Sequence, residues 1–351
     1  MVAGKLIQEI RPAMGCDRHM KFFSSIVLGT FLLLSLAAQA RPVTPFFTFN
    51  QSPLVQLHGL PAIEAARILD PGKQRYRLQA DLASNYTVGR SATESLVLDG
   101  ETMRLTLAFS GHGGRNLEWG IQIPYVSHSG GVLDSFIRRW HDTFGMSQGG
   151  RTEVPNDVLN YQYVSDGQTL VSQTLEGDGV GDVRLTGGWQ LRRPGADDDT
   201  AFTLRASLKL PTGDSEQLRG SGGTDLALWL NGGYGGYGLG PSASLFGGLG
   251  VLLMNRGDVL PELQRSSALF GSLGAGAWVL PRLSLKVQLD FNGAIYRDSE
   301  LTQLGNDSLQ LSVGGSLRLA KHTRIELAVV EDVAVATAPD VVFHAAIVVQ
   351  Q

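Results

Sequence analysis

Cysteine, charge and long apolar runs are scarce in this chain of 351 residues. The single cysteine, Cys16, lies ahead of the one strongly apolar stretch, so the exported chain has no disulfide, thiol nucleophile, cysteine metal site or lipid-anchor cysteine. Charged residues make up only 18%. Past residue 40 no unbroken apolar run reaches the roughly 18 residues that a membrane-crossing helix needs. His112, His128, His141, His322 and His344 show no HxxxH or HxH spacing, which leaves no metal site to assign. Asp197, Asp198 and Asp199 read as a solvated acidic turn. The Gly-rich run GGYGGYGLG lacks the strand-then-helix context of a phosphate loop. No cofactor is expected.

What is present begins with an export signal. Lys5, Arg11, Arg18 and Lys21 precede FFSSIVLGTFLLLSLAA, which runs out in Ala38, Gln39 and Ala40, the small-x-small pattern that a signal peptidase cuts. Residues 1–40 are therefore read as a cleavable signal peptide, with cleavage after Ala40. A retained anchor would call for a charged stop-transfer flank, and none follows. Without the signal, 25 basic stand against 31 acidic residues, a charge of −6, so nucleic acid is not an expected partner.

From Gln74 onward the pattern has period two. In TAFTLRASLKLP, Phe202, Leu204, Ala206, Leu208 and Leu210 alternate with Thr203, Arg205, Ser207 and Lys209; in RLSLKVQLDFN, Leu283 to Phe291 alternate with Ser284, Lys286, Gln288 and Asp290. About twelve such segments occur: residues 74–87, 101–110, 115–127, 180–192, 201–211, 224–234, 240–253, 265–279, 282–296, 307–319, 323–333 and 341–349. Odd-numbered connections are long and polar, whereas most even-numbered ones are tight, including GHGG, YGGYG, LPR and AKH. A soluble sandwich has no reason to sort its connections this way; a transmembrane antiparallel β-barrel does. The fold class is thus all-β, a barrel of about 12 strands, or 14 if NYQYVSDGQTLVSQ adds a hairpin. Tyr76, Tyr86, Trp119, Tyr125, Trp278 and Tyr296 are placed for interfacial girdles. The expected location is the bacterial outer membrane, with outer-membrane lipid and the barrel-assembly machinery as partners and a monomeric state.

Two segments do not alternate. Residues 41–72 are Pro-rich, end in a short amphipathic run over 62–69, and form a periplasmic or plugging segment ahead of a barrel spanning 73–351. Residues 129–178 form the third connection, a long loop. Within it Leu133, Phe136, Ile137, Trp140 and Phe144 recur at helical spacing, with Gly145 as the C-cap, and Asp134, Arg138 and Asp142 can pair at i,i+4. This loop helix, with Asp134, Arg138, Arg139, Trp140, His141, Asp142 and the nearby Arg151, is the candidate constriction of the lumen; capping the outer mouth and lying in the lipid interface are its other two resting places.

The inward parity collects Arg75, Arg77, Arg104, Arg184, Arg205, Lys209, Lys286, Arg318 and Arg324 against Asp81, Glu118, Asp182, Asp290 and Glu326. The principal lumen-lining candidates are Arg77, Arg104, Glu118, Arg184, Arg205, Lys209, Lys286 and Asp290. So charged an interior is either hydrated or tied into ion-pair networks that brace the barrel, and its basic excess also suits an anionic solute.

Catalysis finds little support. SHSG at Ser127 to Gly130 sets His128 beside its serines, so strand alternation points them to opposite faces. No catalytic residue is assigned. The stretches PFFTFNQSPLVQLHGLPAIEAARIL, LDGETMRLTL, LEWGIQIPYVSHSGGVLDSFIRRWHDTFGMSQGGR and GDGVGDVRL resemble a family of proteobacterial exported proteins, the domain of unknown function 3187. LKLPTGD followed by GSGGTDL is similar to outer-membrane transporters of aromatic-compound degradation. The resemblance implies an exported outer-membrane barrel and brings no catalytic residue with it. The expected function is a channel or transporter for an unidentified small solute. A barrel enzyme acting on lipid or lipopolysaccharide, with His141 or His128 as base, and a structural or surface-contact barrel are the alternatives.

Overall fold

The computed structural model describes residues 42–133, 135, 139, 143, 156–195, 200–236, 240–334 and 337–351. Among them no helix is long and apolar enough to cross a membrane, a statement that leaves strands untouched. Fifteen strands account for most of the described residues. Twelve of them close a ring: β1 (Gln74–Arg90), β2 (Glu94–His112), β3 (Leu117–Ser129), β7 (Arg184–Arg192), β8 (Ala201–Lys209), β9 (Asp225–Gly236), β10 (Gly240–Met254), β11 (Ser267–Leu280), β12 (Leu283–Asn292), β13 (Ser308–Arg318), β14 (Thr323–Ala334) and β15 (Val341–Gln350). Every neighbouring pair is antiparallel, and β1 meets β15 in register from Arg75 opposite Gln350 to Ser84 opposite Val341, which closes the barrel.

Alternation dictates the two faces. Leu107, Leu204, Leu249, Leu273, Leu327 and Ile347 are exposed around the outside, while their sequence neighbours Thr106, Arg205, Ser272 and Ala346 turn inward. A continuous apolar belt of this kind is stable only against lipid or another apolar medium. Tyr76, Phe109 and Trp119 stack in succession on this outer face, with centroids 5.1 and 5.2 Å apart.

The remaining strands lie outside the ring. The hairpin β4 (Asn160–Ser165) and β5 (Gln168–Gln173) pairs onto the upper part of β2, and β6 (Gly177–Val180) onto the end of β3. The extra hairpin in NYQYVSDGQTLVSQ therefore exists, but it lengthens one end of the wall and the ring stays at twelve. The first connection departs from its reading as long: β1 and β2 stay paired as far as Arg90 opposite Ser95, leaving residues 91–93 as the turn.

Residues 42–72 run inside the ring. They rise from the short-turn end, turn over at 51–58 near the long-loop end, and return to enter β1. The expected amphipathic run over 62–69 is not helical. Its amides and carbonyls are taken by wall side chains, which removes the need for i→i−4 bonds. Glycines make the close fit possible: a Cβ on Gly276 would sit 2.6 Å from Val43 Cγ1, and one on Gly59 2.7 Å from Asp225 Cβ. At the long-loop end Phe49, Leu54, Leu57 and Leu60 join Tyr161, Trp229, Leu252 and Tyr296 in the main buried apolar cluster. Tyr296 is thus buried within the mouth, not in a girdle, and Trp278 also faces inward, lining a cavity under Arg318.

Candidate functional site

The site is the seam between the inner segment and the wall. The rising limb follows β12 with a constant offset of 242 residues. Lys286 Nζ donates to Thr44 O at 3.1 Å, Phe46 N to Gln288 Oε1 at 2.8 Å, Thr48 Oγ1 to Asp290 Oδ2 at 2.7 Å and Asn50 Nδ2 to Asn292 Oδ1 at 3.2 Å. Above β12, Tyr296 OH donates to Leu54 O at 3.0 Å with the same offset. The reason is geometric: every second residue of β12 faces inward, and an extended segment alongside presents its own groups at the same period. Lys286 also lies 3.8 Å from the centre of the Phe46 ring.

The returning limb is held from the opposite wall. Arg184 donates to the carbonyls of His58 and Leu60, Asn231 Nδ2 to Glu64 O at 2.8 Å, and Arg205 Nη2 to Ala65 O at 3.0 Å. Gln190 grips Ile68 N and Ala66 O, both at 2.8 Å, and Leu69 N donates to Glu118 Oε2 at 2.8 Å.

Three charge clusters lock the ring to this segment. Near the long-loop end Lys209, fully buried, meets Asp182 at 2.5 Å and Asp225 at 3.4 Å and donates to Ser221 and Gly223 O; Asp225 accepts from Gly59 N at 2.7 Å. On the β1, β3 and β8 side, Arg75 and Arg205 share Glu64 of the inner segment and Glu118 of the wall at 3.0 to 3.6 Å. On the β1, β12 and β14 side, Glu326 is surrounded by Arg77 at 3.3 Å, Arg324 at 3.0 Å and Lys286 at 3.6 Å. Arg104 and Arg184 flank the Phe49 ring, at 5.5 and 5.0 Å. Buried ions need such partners, since an unpaired charge in a low-dielectric interior is costly.

His58 sits at the top of the segment, its Nε2 3.1 Å from Tyr296 OH and its Nδ1 4.0 Å from Asp225. Burial, and secondarily the Lys209 charge, pushes the imidazole down to about 3, so it is neutral at ordinary pH. Burial raises the Tyr296 phenol, and Asp225 adds to the shift.

All eight lumen-lining candidates, Arg77, Arg104, Glu118, Arg184, Arg205, Lys209, Lys286 and Asp290, are buried and turned to the interior. Sequence reasoning missed their partners, residues 44–69 of the inner segment. The available signal was that Glu64 and His58, with Asn50, Gln51 and Gln56, are interspersed among apolar residues in a Pro-rich stretch. Of the loop-helix candidates, Asp134, Arg138, Trp140, His141, Asp142 and Arg151 lie outside the described residues. Arg139, with Ser135 and Thr143, is helical and exposed, and Thr143 Oγ1 donates to Arg139 O at 2.7 Å. The approach to this loop is anchored at Glu101, which accepts from Val132 N at 2.9 Å and Leu133 N at 2.6 Å. His128 is buried against Thr102 Oγ1 at 2.9 Å and Leu218 O at 3.0 Å, away from the lipid face. No group of three or more His, Cys, Asp or Glu among the described residues could hold a metal ion.

Residues 23–349 match the family described as "Protein of unknown function (DUF3187)". Among solved structures the chain is similar to the COG4313 outer membrane channel from Pseudomonas putida F1, with 12% identity and a TM-score of 0.51 over 81% of this chain and 100% of that one. It is also similar to the KdgM porin (8% identity, TM-score 0.38, covering 79% and 98%) and to the Pseudomonas putida toluene transporter TodX (10%, 0.36, covering 89% and 95%). At these identities the first likeness is one of barrel fold. No curated protein matches the sequence.

Proposed function

The chain belongs to the DUF3187 family, and we propose that it is an outer-membrane channel or transporter for a small solute, closed at rest by residues 42–72. The observation that carries the reading is the ladder of constant offset along β12, together with the grip of Arg184, Gln190 and Arg205 on the returning limb. A ring whose inward faces are this polar gains nothing from an empty lumen, but it can exchange an internal peptide for water and solute. Residues 1–40 act as the export signal, the short-turn end and both termini face the periplasm, and the long loops face outward, as the barrel rule requires. The ring is closed without a second chain, so a monomer suffices for this pathway.

Two elements compete for the role of gate, the inner segment and the loop helix. Planar-bilayer conductance of the refolded protein separates them: the wild type is compared with a deletion of residues 42–50 and with a deletion of residues 133–144. The expected result is a closed wild type and a large current on deleting 42–50. If that variant, shown folded by heat-modifiable migration, stays closed while the 133–144 deletion opens, the loop helix is the gate; if both stay as closed as the wild type, the barrel is not a gated pathway.

A further inference from the structure

The interior is packed at the long-loop end and hollow at the other. Between the two limbs of the inner segment, at the short-turn end, lies a cavity of about 640 Å³. This volume is within the range of sites for small organic molecules, about 300 to 1,000 Å³.

The walls of the cavity differ in chemistry. On the arc formed by β13, β14 and β1 it is basic, with Arg318, Lys321, Arg324, Lys73 and Arg77. On the arc formed by β10 and β11 it is apolar, with Phe246 and Trp278, and Phe47 and Ile63 of the inner segment continue that surface. The acids nearby are already engaged. Glu64 is held by Arg75 and Arg205, and Asp70 by Arg67 at 2.9 Å. Glu326, below the basic arc, carries one negative charge against Arg77, Lys286 and Arg324. Arg318 and Arg324 are direct register partners on β13 and β14, an arrangement in which like charges repel. Arg318 meets this by lying over the Trp278 ring, 4.7 Å from its centre, which turns a cation toward the border between the basic and apolar surfaces.

We propose that this cavity binds a small organic carboxylate, with its anionic end among Arg318, Lys321 and Arg324 and a compact apolar body against Phe47, Phe246 and Trp278. Guanidinium groups suit a planar carboxylate, and the separation of charged and apolar walls matches a ligand with one end of each kind. The inference deepens the transport reading by giving the solute a class. It is tested at equilibrium without a membrane, so loss of binding and loss of flux are separate results.

The experiment is calorimetric titration of the full mature protein in neutral detergent at low salt, with benzoate, its neutral counterpart benzamide, and inorganic phosphate as probes. Benzoate is expected to bind about tenfold or more tightly than either of the others. The double variant Arg318→Gln/Lys321→Gln is expected to lose that preference. Lys73→Gln/Lys321→Gln, which changes two exposed lysines and leaves the buried pairs alone, should weaken benzoate about threefold even if the first variant fails to fold. Equal binding of benzoate and benzamide, phosphate binding as tightly as benzoate, or benzoate affinity unchanged in the folded lysine variant overturns the proposal. So does a stoichiometric phospholipid found in the cavity by native mass spectrometry.

Discussion

Arg184, on the wall, reaches the top of the inner segment through both terminal nitrogens: Nη2 donates to the carbonyl of His58 at 2.9 Å and Nη1 to that of Leu60 at 2.7 Å. One side chain thus holds the point where the segment has just turned back. Replacing it with Met leaves both carbonyls without this donor, at a cost of about 2 to 4 kcal/mol. The expected outcome for Arg184→Met is a barrel that still forms but opens more often, read as increased conductance with unchanged heat-modifiable migration.

Gly59 offers a second handle at the same turn. A methyl group there would lie 2.7 Å from Asp225 Cβ, so Gly59→Ala must push the segment off its 2.7 Å bond to Asp225. Overpacking of this kind costs about 1 to 3 kcal/mol. Limited proteolysis from the short-turn end is expected to cut residues 42–60 faster in this variant; equal rates would mean the turn has room to spare.

The neutral His58 makes the seal sensitive to acid. An unfolded or released segment takes up a proton near the ordinary histidine value of about 6.5. In place, burial first and Lys209 second hold the same group down to about 3. The released state therefore binds more protons between these values, and the stabilisation present above about 6.5 is lost as pH falls toward about 3. Conductance should rise across this window in the wild type and change less in His58→Gln. A profile identical in both would sink the assignment.

Glu326 predicts a different failure. Its neutral substitution Glu326→Gln leaves Arg77, Arg324 and Lys286 facing one another with no carboxylate among them. Removing one member of a buried ionic cluster costs about 3 to 5 kcal/mol. A lower unfolding temperature by heat-modifiable migration is expected, little changed by salt because the cluster is buried. Ser316 Oγ and Arg324 Nε both donate to Glu326 Oε1, at 3.5 and 3.0 Å, and a glutamine oxygen there can still accept from them, so the change should be in stability more than in fold.

The ring was legible because its signal is local. The alternation of Phe202 to Leu210 and of Leu283 to Phe291 reports which side of a strand each residue occupies, whatever lies inside. Residues 42–72 carry no such period. Their conformation is set by side chains more than a hundred positions away, such as Gln288 and Gln190, and neither composition nor spacing within the segment encodes that pairing. The aromatic reading failed at Tyr296 and Trp278 for a related reason. An aromatic near a strand end suits both an interfacial girdle and a packed mouth, and the choice depends on what fills the interior.

The returning limb of the inner segment runs directly into β1 at the short-turn end, close to where β1 meets β15. Once displaced it stays tethered, with an effective concentration in the millimolar range expected of short linkers. Reclosing is then a unimolecular event, driven by the same carbonyls and amides that had been exchanged for water. On the proposed channel reading, such a barrel would reset itself without a partner or an energy source.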